Sequence, residues 1–476
     1  MSYNLIVLGG GPGGYTSAIR GASLGAKVAL IEKAELGGLC LNKGCIPTKT
    51  YYHASFLKEK VKKMPKWGIT ISEECFNLEK VTERKELVIS TLKKGIEFLL
   101  KGRKVDLYKG EGILLNPGQV KVGDQVLSGE NILIATGTYA AFPKALTPNG
   151  ENILSSDDML NLKELPTSLL VVGAGVLGLE FASIYRSFGS EVMVLEILPQ
   201  ILPQEDPLIA EEVRKLLTRQ GIKFYTGSTL VEMKAKDGKT LVEFLTPSGM
   251  ERVEVEKVLI ATGRKPLVPQ GAGEIGLALD QLGTISIKED LSTNIPGIYA
   301  AGDVSYKIQL AHLATHMGLQ ATENALHKKN KPVDLTIIPR VTYIHPPLAL
   351  TGLTLKEASE AGIKARTVKV PWTAVGMALI EESRDGFCSF TVEEGSEKIV
   401  GVQILGNEAP NLISEGSVIV SEGLTLDKLS EIIHPHPTLG EIYFEAAEAG
   451  RGLGLHTLGS GLHYSLNNRG LGLRVP

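Results

Sequence analysis

The stretch Asn4-Leu5-Ile6-Val7-Leu8-Gly9-Gly10-Gly11-Pro12-Gly13-Gly14, close to the start of the printed sequence, is a short apolar run that ends in a glycine-rich loop. A helix-like stretch follows, and then a second apolar run, Val28–Ile31, that ends at Glu32. This order predicts a strand, a phosphate-binding turn, a helix and a second strand. Gly9 would form the tight turn, Gly11 would let a pyrophosphate approach the backbone, and Gly14 would let the helix pack on the strand.

The same pattern recurs far downstream. Its parts are the strand Leu169–Val172, the glycines Gly173, Gly175 and Gly178, the strand Val192–Leu195 and the acid Glu196. In both copies the acid falls eighteen residues after the third glycine, where a carboxylate can bind a ribose hydroxyl. A single copy could be a simple turn, but two copies in full context predict two dinucleotide sites.

Glu196 also predicts which nicotinamide the second site prefers. A carboxylate accepts a hydrogen bond from the ribose 2′-hydroxyl of NAD and repels the 2′-phosphate of NADP. No arginine follows Glu196 within the next several residues. The sequence therefore favours NAD.

A further internal repeat closes each nucleotide unit. Ile132-Leu133-Ile134-Ala135-Thr136-Gly137 matches Val258-Leu259-Ile260-Ala261-Thr262-Gly263, and each reads as a buried strand followed by a glycine turn. After Ile344-His345-Pro346-Pro347, strand-like and helix-like runs alternate, which predicts an α+β domain. The predicted segments are a first dinucleotide domain at 1–148, a second at 149–271, a central segment at 272–343, the α+β domain at 344–449 and a glycine-rich extension at 450–476 of little periodicity.

Two cysteines, Cys40 and Cys45, have four residues between them in a stretch that runs from Gly38 to Lys49. Such a pair is either a redox couple or half of a zinc site. A zinc site needs about four ligands, and the other cysteines, Cys75 and Cys388, stand alone. The spacing therefore predicts a redox-active disulfide and no metal.

The bulk composition excludes several classes of protein. The chain has 476 residues, a formal net charge of −3 and only 5% aromatic residues, so neither nucleic acid nor an anionic membrane surface is an expected partner. No apolar run is long enough to span a bilayer, and the N-terminus lacks the basic region of a signal peptide. With only four cysteines, a cytoplasmic protein is the expectation.

Several motifs together resemble one family. Beside the two glycine loops and the cysteine stretch, the chain carries Ala300-Ala301-Gly302-Asp303 and His434-Pro435-His436-Pro437-Thr438-Leu439-Gly440-Glu441. From Tyr3 to about Ala449 it resembles the flavin-dependent pyridine nucleotide–disulfide oxidoreductases. Within that family it looks most like the branch whose members oxidise dihydrolipoyl groups.

The resemblance implies the fold and both cofactors. The fold would be α/β, with two Rossmann-like domains and a C-terminal α+β domain that forms a homodimer. FAD would lie on the first glycine loop, with Glu32 on the adenosine ribose and Asp303 on the ribityl and phosphate region. NAD would lie on the second loop, and Lys49 and Glu180 would pair beside the reactive edge of the flavin. Gly137 and Gly263 are further candidates for cofactor binding.

The resemblance also implies the catalytic roles. Cys40 would meet the substrate, and Cys45 would be the thiolate nearest the flavin. A helix-like run beyond Pro47 predicts that Cys45 lies near a helix N-terminus, whose dipole stabilises a thiolate. His436 would be the base and Glu441 would orient it, and His436-Pro437 is a candidate cis peptide bond.

The expected reaction is oxidation of dihydrolipoyl groups on a carrier protein of a 2-oxo-acid dehydrogenase, a glycine cleavage system or another lipoyl-binding system. A glutathione-type reductase would favour arginines near Glu196, and a mercuric reductase would carry a further cysteine pair after Cys388. A complex subunit with vestigial redox activity would have lost a cysteine, His436 or Glu441.

Three features depart from the family pattern. Pro347 stands where the family usually has glutamate, the stretch 312–318 lacks the usual acidic residues, and 450–476 extends beyond the usual end. None of them removes a catalytic group, but together they put the identity of the carrier complex in question.

Overall fold

The structure is a computed structural model that describes residues 2–71, 75–236, 238–457, 463–467 and 470–474. The strands are β1 (Ser2–Leu8), β2 (Val28–Glu32), β3 (Asp106–Lys109), β4 (Gly112–Asn116), β5 (Gln119–Val122), β6 (Gln125–Ile134), β7 (Thr138–Ala140), β8 (Ile153–Leu154), β9 (Ser168–Val172), β10 (Glu191–Leu195), β11 (Lys223–Tyr225), β12 (Thr229–Lys236), β13 (Lys239–Thr246), β14 (Gly249–Val255), β15 (Lys257–Ile260), β16 (Arg264–Pro266), β17 (Ile298–Ala300), β18 (Arg340–Thr342), β19 (Leu348–Gly352), β20 (Ala365–Pro371), β21 (Phe387–Glu393), β22 (Ile399–Leu405), β23 (His463–Asn467) and β24 (Gly470–Arg474).

The α-helices are α1 (Pro12–Ser23), α2 (Gly38–Lys43), α3 (Cys45–Lys63), α4 (Leu78–Gly102), α5 (Ser156–Met159), α6 (Val176–Phe188), α7 (Pro207–Arg219), α8 (Ala311–His327), α9 (Leu355–Glu360), α10 (Gly376–Ile380), α11 (Ala409–Ser421), α12 (Leu426–Ser430) and α13 (Glu441–Gly450). Among the described residues, no helix is both long and apolar enough to cross a membrane.

The chain forms two compact units, and each is built from two separate stretches. Unit 1 contains 1–165 and 262–333, and unit 2 contains 166–261 and 334–476. Thus the chain leaves unit 1 after Leu165, and it returns to it at Thr262.

Unit 1 is organised around a sheet with the order β3-β2-β1-β6-β5-β4, and β17 pairs with β6. The pairs among β3, β2, β1, β6 and β17 are parallel, whereas β4 and β5 complete the sheet as an antiparallel ribbon. Leu5, Ile6 and Val7 of β1 are fully buried, because a central parallel strand is covered on both faces. The apolar runs of the sequence therefore form central parallel strands, as predicted.

Helix α1 crosses α8 at unusually small residues. A Cβ added to Gly318 would lie 2.4 Å from the Gly13 carbonyl oxygen, and one added to Gly13 would lie 3.1 Å from the Ala314 carbonyl oxygen. Close backbone packing thus requires small residues at Ala314 and Gly318 of α8.

The first half of unit 2 repeats this arrangement on a smaller scale. Parallel strands occur in the order β11-β10-β9-β15, and β12, β13 and β14 form an antiparallel meander. The apolar residues of β9, β10 and β15 are buried, as the sequence pattern predicted.

The second half of unit 2 is the α+β part. Its sheet has the order β18-β19-β22-β21-β20-β23-β24. Successive side chains of β20 and β21 point to opposite faces of the sheet. On one face, Val368, Val370 and Phe390 enter a core completed by Trp372 and Tyr443. This confirms the predicted α+β architecture.

The C-terminal extension contains regular structure that its sequence pattern did not indicate. Its sequence is glycine-rich and shows little periodicity, and within it β23 and β24 form a hairpin in which Tyr464 pairs with Thr367 of β20. The extension therefore adds strands to the edge of the C-terminal sheet.

Candidate active site and nucleotide sites

Cys40 and Cys45 form a disulfide whose Cα atoms are 4.7 Å apart. Cys40 lies on the short helix α2, and Cys45 is the first residue of α3. Asn42, which the sequence analysis missed, donates from Nδ2 to the carbonyl oxygens of Leu36 (3.0 Å) and Gly38 (2.8 Å) and so ties the loop to α2. The N-terminus of α3 provides the positive end of a helix dipole beside the Cys45 sulfur.

The remaining cysteines offer no alternative pair. Cys75 is exposed and Cys388 is fully buried, and burial raises the pKa of the Cys388 thiol. Within the described residues, no group of three or more His, Cys, Asp or Glu side chains could hold a metal ion.

The first glycine loop follows β1 at the carboxyl end of the parallel strands. A Cβ on Gly14 would lie 1.8 Å from the Gly9 carbonyl oxygen, so only glycine fits where α1 packs against the loop. At Gly11 the nearest atom to such a Cβ is 3.9 Å away, which leaves open space beside the N-terminus of α1. An anion such as a pyrophosphate fits that position.

Glu32 lies beneath the first loop. Its Oε2 accepts a hydrogen bond from the Gly10 backbone N–H (2.6 Å), and its Oε1 accepts one from the Ala34 N–H (2.7 Å). A carboxylate oxygen has two acceptor positions, so each oxygen can still accept a ribose hydroxyl.

The second loop has the same construction. A Cβ on Gly178 would lie 2.0 Å from the Gly173 carbonyl oxygen, whereas one on Gly175 would meet nothing within 4 Å. Glu196 is 7% exposed, and it accepts hydrogen bonds from the backbone N–H groups of Ala174 (2.7 Å) and Leu198 (2.8 Å). The sequence predicted that both acids bind a ribose. It did not indicate that each acid also holds its own glycine loop.

Asp303 lies at the same edge of the unit 1 sheet as the first loop. It belongs to a 3₁₀ turn, Gly302–Val304, that begins just after β17, which runs parallel to β6. Burial raises the pKa of the Asp303 carboxyl, against the opposing effects of the Thr138 hydroxyl and the Arg264 guanidinium. Thr138 and Arg264 were missed by the sequence analysis, although each directly follows one of the two repeats that end in Ala-Thr-Gly.

The other predicted cofactor residues lie on both units. Lys49 is on α3, one turn beyond Cys45, and Gly137 and Gly263 have open space where a side chain would begin. Glu180 on α6 is 2% exposed, and its Oε1 accepts a hydrogen bond from the Tyr343 backbone N–H (3.0 Å). The pairing of Lys49 with Glu180 stays a prediction.

His436 and Glu441 form a pair in the C-terminal part of unit 2. The Nδ1 atom of His436 lies 2.8 Å from Glu441 Oε1, and the Thr438 backbone N–H donates to Glu441 Oε2 (2.9 Å). Glu441 is the first residue of α13, and the His436–Pro437 peptide bond is cis, as predicted. The His436 side chain is 76% exposed, so its ring is accessible to a partner.

The charge of Glu441 is stabilised locally. Partial burial by itself would raise the pKa of this carboxyl, but the Thr438 N–H and the His436 imidazole outweigh it and lower the pKa. His434, in contrast, is a buried ring whose Nε2 lies 2.9 Å from Glu415 Oε1.

Comparison with known proteins places this arrangement in one family. The pyridine nucleotide–disulphide oxidoreductase model matches residues 3–318, and the dimerisation domain model of the same family matches residues 338–447. The chain belongs to the pyridine nucleotide–disulphide oxidoreductases.

Relatives in this family include proteins named dihydrolipoyl dehydrogenase. One from Bacillus subtilis (strain 168) is 36% identical over 470 residues, which cover 95% of this chain and 99% of the relative. One from Thermus scotoductus is 38% identical over 462 residues, covering 96% and 99%.

Solved structures show the same fold. LpdA from Mycobacterium tuberculosis superposes with a TM-score of 0.86 at 25% identity, over 93% of this chain and 98% of that one. A Cu(II) complex of RclA, an HOCl-induced flavoprotein disulfide reductase from Escherichia coli, gives 0.84 at 26% identity, over 94% and 99%.

Membership settles the general chemistry. The chain is a flavin-dependent disulfide oxidoreductase with FAD and NAD as cofactors, and it forms a homodimer through its C-terminal domain. The open positions at Gly11 and Gly175 and the acids below both loops fit these dinucleotides.

Proposed function

We propose that this protein oxidises protein-bound dihydrolipoyl groups to the lipoyl disulfide and transfers the electron pair to NAD⁺, giving NADH and one proton. The observation that carries the proposal is the 2.8 Å contact between His436 Nδ1 and Glu441 Oε1 in a chain that also holds the Cys40–Cys45 disulfide. Substrate thiols need a base, and a carboxylate-bound imidazole is one suited to neutral pH. The relatives named dihydrolipoyl dehydrogenase support the choice of substrate.

The hydrogen bond to Glu441 places the Nδ1 proton of His436 and leaves Nε2 as the base. His436 takes a proton from one substrate thiol, and the resulting thiolate attacks the Cys40 sulfur. The Cys40–Cys45 bond breaks, and Cys45 leaves as a thiolate near the N-terminus of α3.

The second substrate thiol completes the exchange. It loses its proton and attacks the mixed disulfide, which releases Cys40 as a thiol and forms the lipoyl disulfide. FAD, when bound, carries the electron pair from the reduced cysteines to NAD⁺. Two thiol hydrogens and NAD⁺ thus become NADH and a proton, and the disulfide is restored.

The remaining assignments belong to the same proposal. Glu32 and Asp303 bind FAD, Glu196 selects NAD over NADP, and Lys49 pairs with Glu180 beside the flavin. The segments 1–148, 149–271, 272–343 and 344–449 act as the FAD, NAD, central and interface domains, and 450–476 is the extension. We place the enzyme in the cytoplasm, with a lipoylated carrier as its partner.

The test is NAD⁺ reduction by the purified flavoprotein with free dihydrolipoamide and with candidate lipoylated carriers. Rapid reduction with both supports the proposal. In Cys45→Ser the long-wavelength thiolate–flavin band of the two-electron-reduced enzyme should be absent. If that band persists, the roles of the two cysteines are reversed.

The likeness to RclA favours one rival, a flavoprotein disulfide reductase with another substrate. Faster reduction of glutathione disulfide or another small disulfide, or of a mercuric salt, than oxidation of dihydrolipoamide would select that rival. An enzyme inert to every thiol and disulfide would indicate a structural subunit with vestigial redox activity.

A further inference from the structure

The two repeats that end in Ala-Thr-Gly lead into strands that pair with each other. β7 follows the first repeat and β16 follows the second, and both strands lie in unit 1. They are antiparallel, with Pro266 opposite Thr138 and Arg264 opposite Ala140. The Leu267 N–H donates to the Gly137 carbonyl at 2.8 Å, so the ribbon continues to the glycine turn.

A chain of hydrogen bonds runs from this ribbon to Asp303. Arg264 donates from Nε to the Thr138 hydroxyl (2.9 Å) and from Nη2 to the Thr138 carbonyl (3.0 Å). The Thr138 hydroxyl donates in turn to Asp303 Oδ2 at 3.3 Å. Because its single proton points to Asp303, the hydroxyl receives the Arg264 N–H on a lone pair.

We infer that Thr138 and Arg264 are positioning residues of the flavin site, which hold the Asp303 carboxylate ionised and oriented for a hydroxyl of FAD. The inference rests on the proposed role of Asp303. With Oδ2 held by Thr138, Oδ1 remains the oxygen to accept from the ligand. A buried carboxyl tends to take up a proton, and a protonated carboxyl is a weaker acceptor, so a nearby cation preserves the site.

We call the hydrogen-bonded chain of Arg264, Thr138 and Asp303 the relay. The charged groups around it determine how FAD binding depends on pH. Arg264 faces Asp303, and Asp157 of α5 faces Arg264 while paired at 2.9 Å with Lys43 of α2. Helix α8, packed on the turn that holds Asp303, adds the exposed imidazoles of His312 and His316. Burial raises the pKa of Asp303, so FAD affinity should fall with decreasing pH, and without Arg264 this loss should begin at higher pH.

The experiment measures the dissociation constant of FAD by quenching of flavin fluorescence on addition to the apoprotein. Thr138→Val and Arg264→Met should each weaken FAD binding by about ten-fold, the usual effect of losing a charge-assisted hydrogen bond. Thr138→Ser keeps the hydroxyl and should bind FAD like the wild type. Arg252→Met, which removes an exposed arginine of β14, is the matched control.

A double-mutant cycle tests the role of Thr138 separately from the role of Asp303. In an Asp303→Asn background, Thr138→Val should have no further effect, because the group that it positions is already changed. If Asp303→Asn itself leaves FAD affinity unchanged, the proposed role of Asp303 is wrong.

If Asp303→Asn weakens binding but Thr138→Val and Arg264→Met do not, only the relay is wrong. Arg264→Met should also release FAD at higher pH than the wild type does. Release of FAD at the same pH in both proteins would likewise overturn the inference.

Discussion

Glu196 holds a glycine loop by hydrogen bonds and is also the residue that we propose to bind a ribose. Its oxygens accept the Ala174 and Leu198 N–H groups, so the acid that we propose to bind the ribose also holds the second glycine loop. Glu32 repeats this with Gly10 and Ala34. The proposed ribose contact and the geometry of the glycine loop therefore depend on the same carboxylate in each unit.

Glu196→Gln should lower kcat/KM for NAD⁺ by roughly ten- to a hundred-fold, since a charge-assisted hydrogen bond contributes about 1.5–3 kcal/mol. Discrimination against NADP⁺ should relax, because the repulsion of the 2′-phosphate is gone. The amide also leaves one buried N–H without an acceptor, so Tm should fall. Initial rates with both nucleotides provide the measurement. Glu32→Gln is the control, and it should weaken FAD binding without changing the NAD/NADP ratio.

A wild-type enzyme that prefers NADP⁺, or a Glu196→Gln variant with an unchanged nucleotide ratio, would contradict this role for Glu196.

His436→Ala should slow dihydrolipoamide oxidation by about a hundred-fold or more, the scale of a lost general base. The FAD content should not change, because the imidazole is exposed and remote in sequence from both glycine loops. Steady-state kinetics and the flavin absorbance test both points. His456→Ala is a close control, since His456 also binds a carboxylate of α13, Glu445, at 2.7 Å. Equal losses in both variants would rule out a special role for His436.

At the scale of elements, the glycine loops make a prediction that separates the two cofactors. An alanine at Gly178 would bring its Cβ to 2.0 Å from the Gly173 carbonyl oxygen, so loop and helix must move apart. Gly178→Ala should weaken NAD binding at least about ten-fold and leave FAD binding unchanged. A loss of about 1.4 kcal/mol of binding free energy already corresponds to a ten-fold change in the dissociation constant. Gly14→Ala should weaken FAD binding and leave NAD binding unchanged. Equilibrium titration with each nucleotide distinguishes them.

Gly95→Ala serves as the matched control. Gly95 lies within α4, and a Cβ there would meet nothing within 4 Å. It should bind both nucleotides normally and gain up to about 1 kcal/mol of stability. Normal NAD binding by Gly178→Ala would show that the second loop tolerates a side chain and does not cradle a nucleotide.

The elements that the sequence predicted well are those whose signal is local. The apolar runs of β1, β9 and β15 are continuous because parallel strands are buried on both faces. Signals that depend on distant partners were missed. Strand β23, in the glycine-rich extension, pairs with β20. The hydrogen bond between Thr138 and Arg264 joins residues that are far apart in sequence.

The disulfide and the His436–Glu441 pair are far apart along the chain. The disulfide lies in unit 1, close to the first glycine loop, whereas His436 and Glu441 lie in unit 2 beyond the last of the nucleotide strands. The family's dimerisation domain covers residues 338–447 and includes this pair. We propose an active site that takes its dithiol from one subunit and its base from the other.

Mixed dimers provide the decisive measurement. Subunits carrying Cys45→Ser should form inactive homodimers, and subunits carrying His436→Ala should form homodimers that keep about one hundredth of the wild-type rate or less. If each site combines the dithiol of one chain with the base of the other, a heterodimer holds one site with both lesions and one site with neither. Co-expression with two affinity tags, followed by sequential purification, would isolate the heterodimers.

Those heterodimers should recover up to about half of the wild-type rate of dihydrolipoamide oxidation, since one of two sites is intact. A pair of tagged wild-type subunits gives the reference rate, and heterodimers of two Cys45→Ser chains with different tags give the background. If base and dithiol came from the same chain, every site in the mixed dimer would carry one lesion. Activity at that background level would therefore show that the site lies within one subunit, and the dimer would have to stabilise the enzyme for some other reason.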